Sequence, residues 1–347
     1  VDICGQQSGH NAISFEKDSF QALPVSDSCP QQERLAPRVG FNVTMADSDC
    51  VQCGNCVQVC PTGALVDARD KRQGSKEQLE TTSTICTYCG VGCRINVSVS
   101  PSTGKICHVE GSNESDVNEG MLCVKGRFGY DFIQNEQRLT TPLIRKQGEL
   151  IPCTWDEAID TIADKFTQVK ANKGGDAIAT LASAKATNED NFLIQKFVRT
   201  VLGTNNVDHC ARLCHASTVS ALQQSLGSGA MTGDIPGIKD SDLIFILGSD
   251  TCNAHPIIAS KIKQAIRHHG ARLMVADPKR VSIADEAELY VAQKPGSDVA
   301  LINAIMAEII RNNWHDTDYI AKHTEGFDEV IDTVLQAKYS LENAAKV

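Results

Sequence analysis

The sequence predicts an α/β protein in which small cysteine-bearing domains precede a parallel, doubly wound sheet. Three observations predict it. Seven of the fifteen cysteines crowd between positions 50 and 93. Short β-like runs joined by Gly, Ser and Asn turns follow, as in residues 94–99 and 105–109. From about residue 141 onward, helical periodicity alternates with short apolar strands, the rhythm of βαβ units. These zones divide the chain into residues 1–75, 76–140 and 141–347, with the polar stretch 70–84 read as a linker.

Within the α/β zone, Thr154-Trp155-Asp156-Glu157 has the form of a capping box, and Ala158, Ile159, Ile162, Ala163 and Phe166 follow at helical spacing. Residues 176–181 read as a strand, 189–202 as a helix, and the stretch after Asp208 as another helix. Residues 242–248 read as a buried strand, followed by a helix over 256–268 that Gly270 ends. Two more strands, 271–276 and 289–292, and a helix over 299–311 complete the pattern.

Composition narrows the function classes. The 347 residues carry 33 Lys+Arg against 43 Asp+Glu, a net charge of -10. That balance argues against nucleic acid as the main partner, because phosphate binding depends on clustered Lys and Arg. A hydrophobic fraction of 41% excludes a wholly disordered chain. The apolar run 243–247 is far too short to cross a bilayer, and no charged-then-apolar leader opens the chain at Val1. The expectation is a soluble protein with no membrane span.

The cysteines are spaced for inorganic ligation. Secreted disulfide scaffolds are usually short, with cysteines spread to staple separate loops. Cys50, Cys53, Cys56 and Cys60-Pro61 instead follow C-x2-C-x2-C-x3-C-P, in which three close thiolates wrap the corners of a [4Fe–4S] cubane. A zinc knuckle is the alternative, but tetrahedral zinc prefers two separated pairs. In two-cluster ferredoxins the fourth cysteine of each run serves the other cluster. If Val1-Asp2-Ile3-Cys4 is the tail of an earlier run, Cys4 joins Cys50, Cys53 and Cys56, and Cys60 belongs to a second cluster. The chain would then be truncated at its start. Cys4 as a free thiol stays open. Such clusters need a reducing compartment, most simply the cytoplasm.

Cys86-Thr87-Tyr88-Cys89-Gly90-Val91-Gly92-Cys93 gives C-x2-C-x3-C, and Cys123 follows at a distance. Three close cysteines and one remote one again suit a [4Fe–4S] cubane, with structural thiols as the alternative. Gly90 and Gly92 let the backbone pass close to the sulfides. Lys125, two residues past Cys123, could bridge such a cluster to a neighbouring cofactor, although a lone Lys is usually a solvated surface residue.

Together, residues 86–93, Cys123-Val124-Lys125-Gly126 and Thr154-Trp155-Asp156-Glu157-Ala158 resemble the molybdopterin oxidoreductases. The segment 203–215, ending in Cys210-Ala211-Arg212-Leu213-Cys214-His215, resembles the metal-ligand segment of formate dehydrogenase catalytic subunits. The ferredoxin-type run matches their larger, NAD-linked or hydrogenase-linked forms. The resemblance implies that Cys214 ligates molybdenum or tungsten, that His215 accepts the proton or orients substrate, and that Lys125 lies between the second cluster and a pterin. It implies a bis(molybdopterin guanine dinucleotide) cofactor, with Asn206 among its contacts. Read without the family, Cys210 and Cys214 share a helix face flanked by His209 and His215, as in a buried thiol pair or a small zinc site. With it, Cys210 becomes a packing residue.

A nucleotide also fits the sheet itself, since ligands of doubly wound sheets lie beyond the carboxyl ends of strands. Those ends are Gly248-Ser249-Asp250, Asp277-Pro278-Lys279-Arg280 and Pro295-Gly296-Ser297-Asp298. Asp277 or Asp298 could take ribose hydroxyls or a guanine edge, while glycines and backbone N–H groups approach phosphate. Ordinary strand-to-helix turns are the alternative. No G-x-G-x-x-G supports direct NAD binding. The remaining cysteines, Cys29, Cys107, Cys153 and Cys252, read as small buried thiols, and 110–119 as a solvated acidic loop.

The implied reaction is oxidation of formate to CO2, with electrons leaving singly through the clusters to an electron-accepting subunit, an NAD-linked diaphorase or a hydrogenase module. A nitrate reductase-type enzyme is one rival, disfavoured by the Cys214-His215 pair. A non-catalytic relay subunit of the NADH dehydrogenase type is another, disfavoured by the retained Cys214 and Lys125. The family's catalytic arginine and the second half of the pterin cradle are expected downstream of Val347, so these 347 residues alone are expected to be an inactive N-terminal piece.

Overall fold

A computed structural model describes residues 50–67 and 78–347, together with Cys4, Ser48 and two short strands, β1 (Ser14–Phe15) and β2 (Val39–Gly40), which pair antiparallel. The reading of Cys29 lies outside the described residues. The first cysteine run folds around a single helical turn, α1 (Asn55–Gln58), entered through Gly54 at φ 69. A side chain at Gly54 would be strained by that φ, and its Cβ would lie 2.5 Å from Arg127 Cδ.

The second unit is an antiparallel meander of β3 (Glu80–Ile85), β4 (Arg94–Val99) and β5 (Ile106–Gly111). The end of the expected linker is therefore a strand. Its residues, Glu80-Thr81-Thr82-Ser83-Thr84-Ile85, are all exposed, so no apolar alternation marks them, but they pair with β4 from Glu80↔Val99 to Ile85↔Arg94. The turn after β4 carries Ser100–Gly104, and α2 (Val124–Phe128) begins directly after Cys123.

A hairpin, β6 (Leu143–Lys146) with β7 (Glu149–Pro152), leads into α3 (Trp155–Lys173). Thr154 caps α3 by accepting the Glu157 N–H at 3.2 Å, while the Glu157 carboxylate turns to Lys146 at 2.8 Å. There follow β8 (Thr180–Ala182), α4 (Asn188–Phe197) continued by a π turn over Val198–Leu202, β9 (Val207–His209), α5 (Ala211–Cys214) and α6 (Ala216–Leu226). The last part runs through β10 (Leu243–Leu247), α7 (Thr251–Ala254), α8 (Pro256–His269), β11 (Arg272–Ala276), β12 (Leu289–Val291), α9 (Asp298–Arg311), α10 (Thr317–His323), α11 (Phe327–Val334) and α12 (Leu341–Ala344).

The strands are parallel, but among the described residues they form two pieces rather than one doubly wound sheet. β10, β11 and β12 pair in sequence order, with Leu243↔Arg272 and Met274↔Leu289, and β8 pairs separately with β9. Nor is β10 a buried strand. Ile246 packs into the core while Leu243 and Phe245 are 52% and 42% exposed. Alternate residues point to opposite faces, and the helix layer formed by α8 covers only one of them.

That helix organises the molecule. Pro256 opens it with a preset φ, Gly270 ends it at φ 76, and Arg267, His268 and His269 suit its carboxyl end. Ala259 and Ile262 pack with Ile246, Leu273, Val275 and Ile283 in one core cluster. Ile257, one turn earlier, joins Val91, Cys93, Val109, Met121 and Leu122 of the meander unit in a second. A third, smaller cluster of Ile178, Val198 and Leu202 holds α3 to α4 and β9.

The stretch 110–119 is more than a solvated loop. Ser112 and Asn118 are buried, and the Asn118 side chain bonds Arg94 and Met121 backbone. Glu119 reaches the α/β unit, where its carboxylate meets Lys239 at 2.8 Å and the wholly buried Lys261 at 2.5 Å. Burial works against the Glu119 charge, but the two ammonium groups outweigh it and hold the carboxyl below its usual 4.5. Its contribution is therefore full above the ordinary glutamate pKa and is lost as pH falls through the lower folded value. At neutral pH, Glu119→Gln leaves the Lys261 ammonium buried without its counter-charge and should destabilise by about 3 kcal/mol. Lys261→Met removes the buried charge itself and should cost clearly less. Denaturant unfolding of both variants checks the order; the reverse order would contradict this reading of the ion pair.

Candidate metal centre

Two groups of cysteines are brought together. In the first, Cys86, Cys89, Cys93 and Cys123 line one small cavity with Tyr88, Val91, Leu122, Gly126, Pro256 and Ile257. The Cys86 N–H donates to the Cys93 carbonyl at 2.9 Å and closes the loop, and Gly92 turns it at φ 73. Burial, then Cys86, Cys89 and Cys123, push the Cys93 thiol up to about 12. Burial and the charges of Cys123 and Cys89 likewise raise Cys86. Thiolates are the ligating form, and four of them in one apolar cavity repel unless a cationic centre sits among them. The donor set fits an iron–sulfur cubane.

In the second group, burial first and then charge repulsion raise the Cys53 and Cys56 thiols; Cys56 and Cys4 act on Cys53, and Cys4 and Cys50 act on Cys56. Cys4 is buried. Cys60 stands apart. Its sulfur accepts the Leu65 N–H at 3.4 Å, and that bond together with Thr62 lowers its thiol to about 7. The charge interactions thus connect Cys4 with Cys53 and Cys56, and Cys50 with Cys56. Among the described residues no three Cys, His, Asp or Glu converge on a single-ion point, whereas a cubane takes each thiolate at a separate corner.

Arg127 and Asn55, which the sequence reading did not single out, join the two groups. Arg127 Nε donates to the Cys53 carbonyl and Nη2 to Asn55 Oδ1, both at 2.8 Å, and the same Asn55 oxygen accepts the Leu122 N–H at 3.0 Å.

Cys214 and His215 are exposed at the end of α5. Cys210 does not pack inside. It is exposed and its sulfur accepts the Ala184 N–H at 3.2 Å. The neighbouring Lys185 Nζ donates to the Thr87 and Tyr88 carbonyls at 3.0 and 2.8 Å. One turn of chain therefore ties the helix that presents Cys214 to the loop between Cys86 and Cys89.

The strand ends form a second neighbourhood. Lys125 Nζ donates to the Asn253 carbonyl at 3.1 Å, which links the Cys123 turn to α7, just after β10. There Gly248 has φ 59, Ser249 bonds Thr251, and Asp250 accepts from Asn253. Asp277 is buried and accepts the Lys279 N–H across Pro278, while Arg280 pairs with Asp285 and lies over the Tyr290 ring. Beyond β12, Gly296 has φ 86, Ser297 donates to the Lys294 carbonyl, and Asp298 accepts from Gln293. Asn206 is elsewhere, on the β8–β9 piece, where its amide donates to the Asp176 carbonyl. Buried Asp250 Oδ1, His255 Nδ1 and Gln293 Oε1 have no hydrogen-bond partner. Buried polar atoms are rarely left so, and a polar ligand would satisfy them. Among the other thiols, Cys107 and Cys153 are buried and Cys252 is half-buried. No helix among the described residues is long and apolar enough to cross a membrane.

Comparison with known proteins finds family matches over three parts of the chain. Residues 138–334 match the Molybdopterin oxidoreductase family, 79–135 the Molybdopterin oxidoreductase Fe4S4 domain, and 2–64 the 4Fe-4S dicluster domain. Two Staphylococcus aureus proteins, from strains MRSA252 and COL and each named "Putative formate dehydrogenase", are 36% identical over 337 residues, covering 86% of this chain and 34% of their own. The chain thus spans about a third of the length of these curated relatives. Acetylene Hydratase from Pelobacter acetylenicus shares the fold, with a TM-score of 0.64 at 22% identity over 76% of this chain and 36% of that one.

The cysteine grouping makes a prediction that iron analysis checks. Cys4→Ser should lose the iron of the cluster shared with Cys50, Cys53 and Cys56, and Cys60→Ser should leave that cluster's iron in place. Iron loss in Cys60→Ser with none in Cys4→Ser would reverse the assignment.

Proposed function

We propose that this chain, which belongs to the molybdopterin oxidoreductase family, is part of the catalytic subunit of a formate dehydrogenase, with Cys214 as the protein ligand to molybdenum or tungsten. What supports the reading is a single arrangement: an exposed thiol followed directly by an imidazole, on a helix tied through Cys210, Ala184 and Lys185 to the Cys86–Cys89 loop. A molybdenum or tungsten bis(molybdopterin guanine dinucleotide), when bound, supplies a two-electron acceptor for the hydride equivalent of formate.

The chain's own residues then have separate tasks. Cys214 holds the metal as a thiolate, and His215 takes the proton left when formate becomes CO2. Lys125 fixes the Cys123 turn against Asn253, and with it the spacing between the Cys86 group and the strand ends. Gly248, Ser249 and Asp250, Asp277, Pro278 and Arg280, and Gly296, Ser297 and Asp298 offer the dinucleotide backbone N–H groups and the unpartnered acceptors. The Cys86 group and the first cysteine run are linked through Arg127 and Asn55, a path for single electrons toward an accepting subunit. The net charge of -10 suits a delivery surface that meets a basic patch.

Fold alone does not fix the substrate, so the experiment is an assay of the full-length protein that carries this sequence, with formate and nitrate each tested against a redox dye, alongside metal analysis. Formate-driven dye reduction with stoichiometric molybdenum or tungsten is the expected result. In Cys214→Ser turnover should fall by more than about a hundredfold, the loss already seen when an outer partner of a metal ligand is changed. Nitrate turnover without formate turnover, or a protein holding iron but neither heavy metal, would favour the reductase or the relay reading instead.

A further inference from the structure

We propose that the Arg127 guanidinium is a fixed cation set between the two cysteine groups, and that its charge raises the potential of the centre held by Cys4, Cys50, Cys53 and Cys56. This rests on the reading of both groups as iron–sulfur centres.

Arg127 lies four residues beyond Cys123 on α2 and is 3% exposed. Its two hydrogen-bond acceptors, the Cys53 carbonyl and Asn55 Oδ1, are neutral oxygens within the first cysteine run. Burial works against its charge, while the negative charge of Cys53, Glu110, Cys56 and Cys123 favours it; its side chain bonds the first run and its backbone N–H donates to the Cys123 carbonyl of the second. A buried guanidinium away from a compensating charge would cost several kcal/mol. Its position makes sense where thiolates and an anionic cluster surround it. The contact is built into the sequence as well, because Gly54 leaves room for the Arg127 stem that any side chain would fill.

A [4Fe–4S] centre with four thiolates gains one negative charge when it accepts an electron, with no bond broken and no proton moved. Potentials of such centres follow net charge, hydrogen bonding and solvent exposure. A nearby fixed cation stabilises the reduced form more than the oxidised one. Removing it lowers the potential. Arg cannot deprotonate in the working range, so the effect is independent of pH.

The test is a dithionite redox titration of the intact iron–sulfur-loaded protein, read by electron paramagnetic resonance on the signal that Cys53→Ser abolishes. At the potential where the wild type is half reduced, Arg127→Gln should lower the reduced-to-oxidised ratio roughly tenfold, the size expected for one charge several ångströms away. Arg127→Lys keeps the charge and loses the planar fork, and should return the midpoint close to wild type. A wild-type midpoint in iron-replete Arg127→Gln overturns the proposal. If Arg127→Gln binds no iron, Arg127→Lys decides: a native midpoint supports the charge, and a lowered one overturns it. Failure of both variants to hold iron marks Arg127 as structural only and overturns it too. A wild-type protein with no signal that depends on Cys53 sinks the two-centre reading itself.

Discussion

Thiolates repel one another, and most of this structure follows from gathering them. In the apolar cavity, burial first and then the neighbouring thiolates push up the Cys93 and Cys86 thiols, Cys93 to about 12. Only a cationic inorganic centre reverses that balance, because ligation requires the deprotonated sulfur. The loops that deliver the thiols are short and pinned by backbone bonds. The positive groups nearby, Lys185 at one loop and Arg127 between the groups, lie where negative charge accumulates.

Holding the Cys86 group and the α/β unit in fixed relation needs a rigid element common to both. Helix α8 is that element. Its amino-terminal Ile257 packs against the cavity of the Cys86 group, its middle forms the core beneath β10 and β11, and Lys261 anchors Glu119 of the meander unit. Just before it, Asn253 accepts from Lys125. Electron transfer depends on separations that stay constant, and a helix clamped on several sides supplies that constancy better than loops.

Much of this was legible in the sequence because inorganic ligation imposes local spacing. The cysteine runs are compact motifs, and both fall within iron–sulfur domain matches. Pro256 and Gly270 mark the ends of α8, and β11, β12 and α9 follow their apolar patterns. What was hidden depends on tertiary partners. Residues 80–85 alternate nothing apolar, so their pairing with β4 had no local sign. Glu119 sits in an acidic stretch, and its partner Lys239 is 120 residues away. β10 reads as buried by composition, yet only one of its faces is covered. Arg127 was missed although its position one helical turn past Cys123 was a usable signal, because a single arginine has no significance until its neighbours are known.

The central claim is that the Cys214 sulfur is bonded to the heavy metal. X-ray absorption at the molybdenum or tungsten edge of the full-length protein measures it directly. Replacing Cys214 with Ala should leave the metal with one sulfur neighbour fewer than in the wild type while the iron signal is unchanged. An identical sulfur shell in both proteins would place the thiol away from the metal and contradict the account.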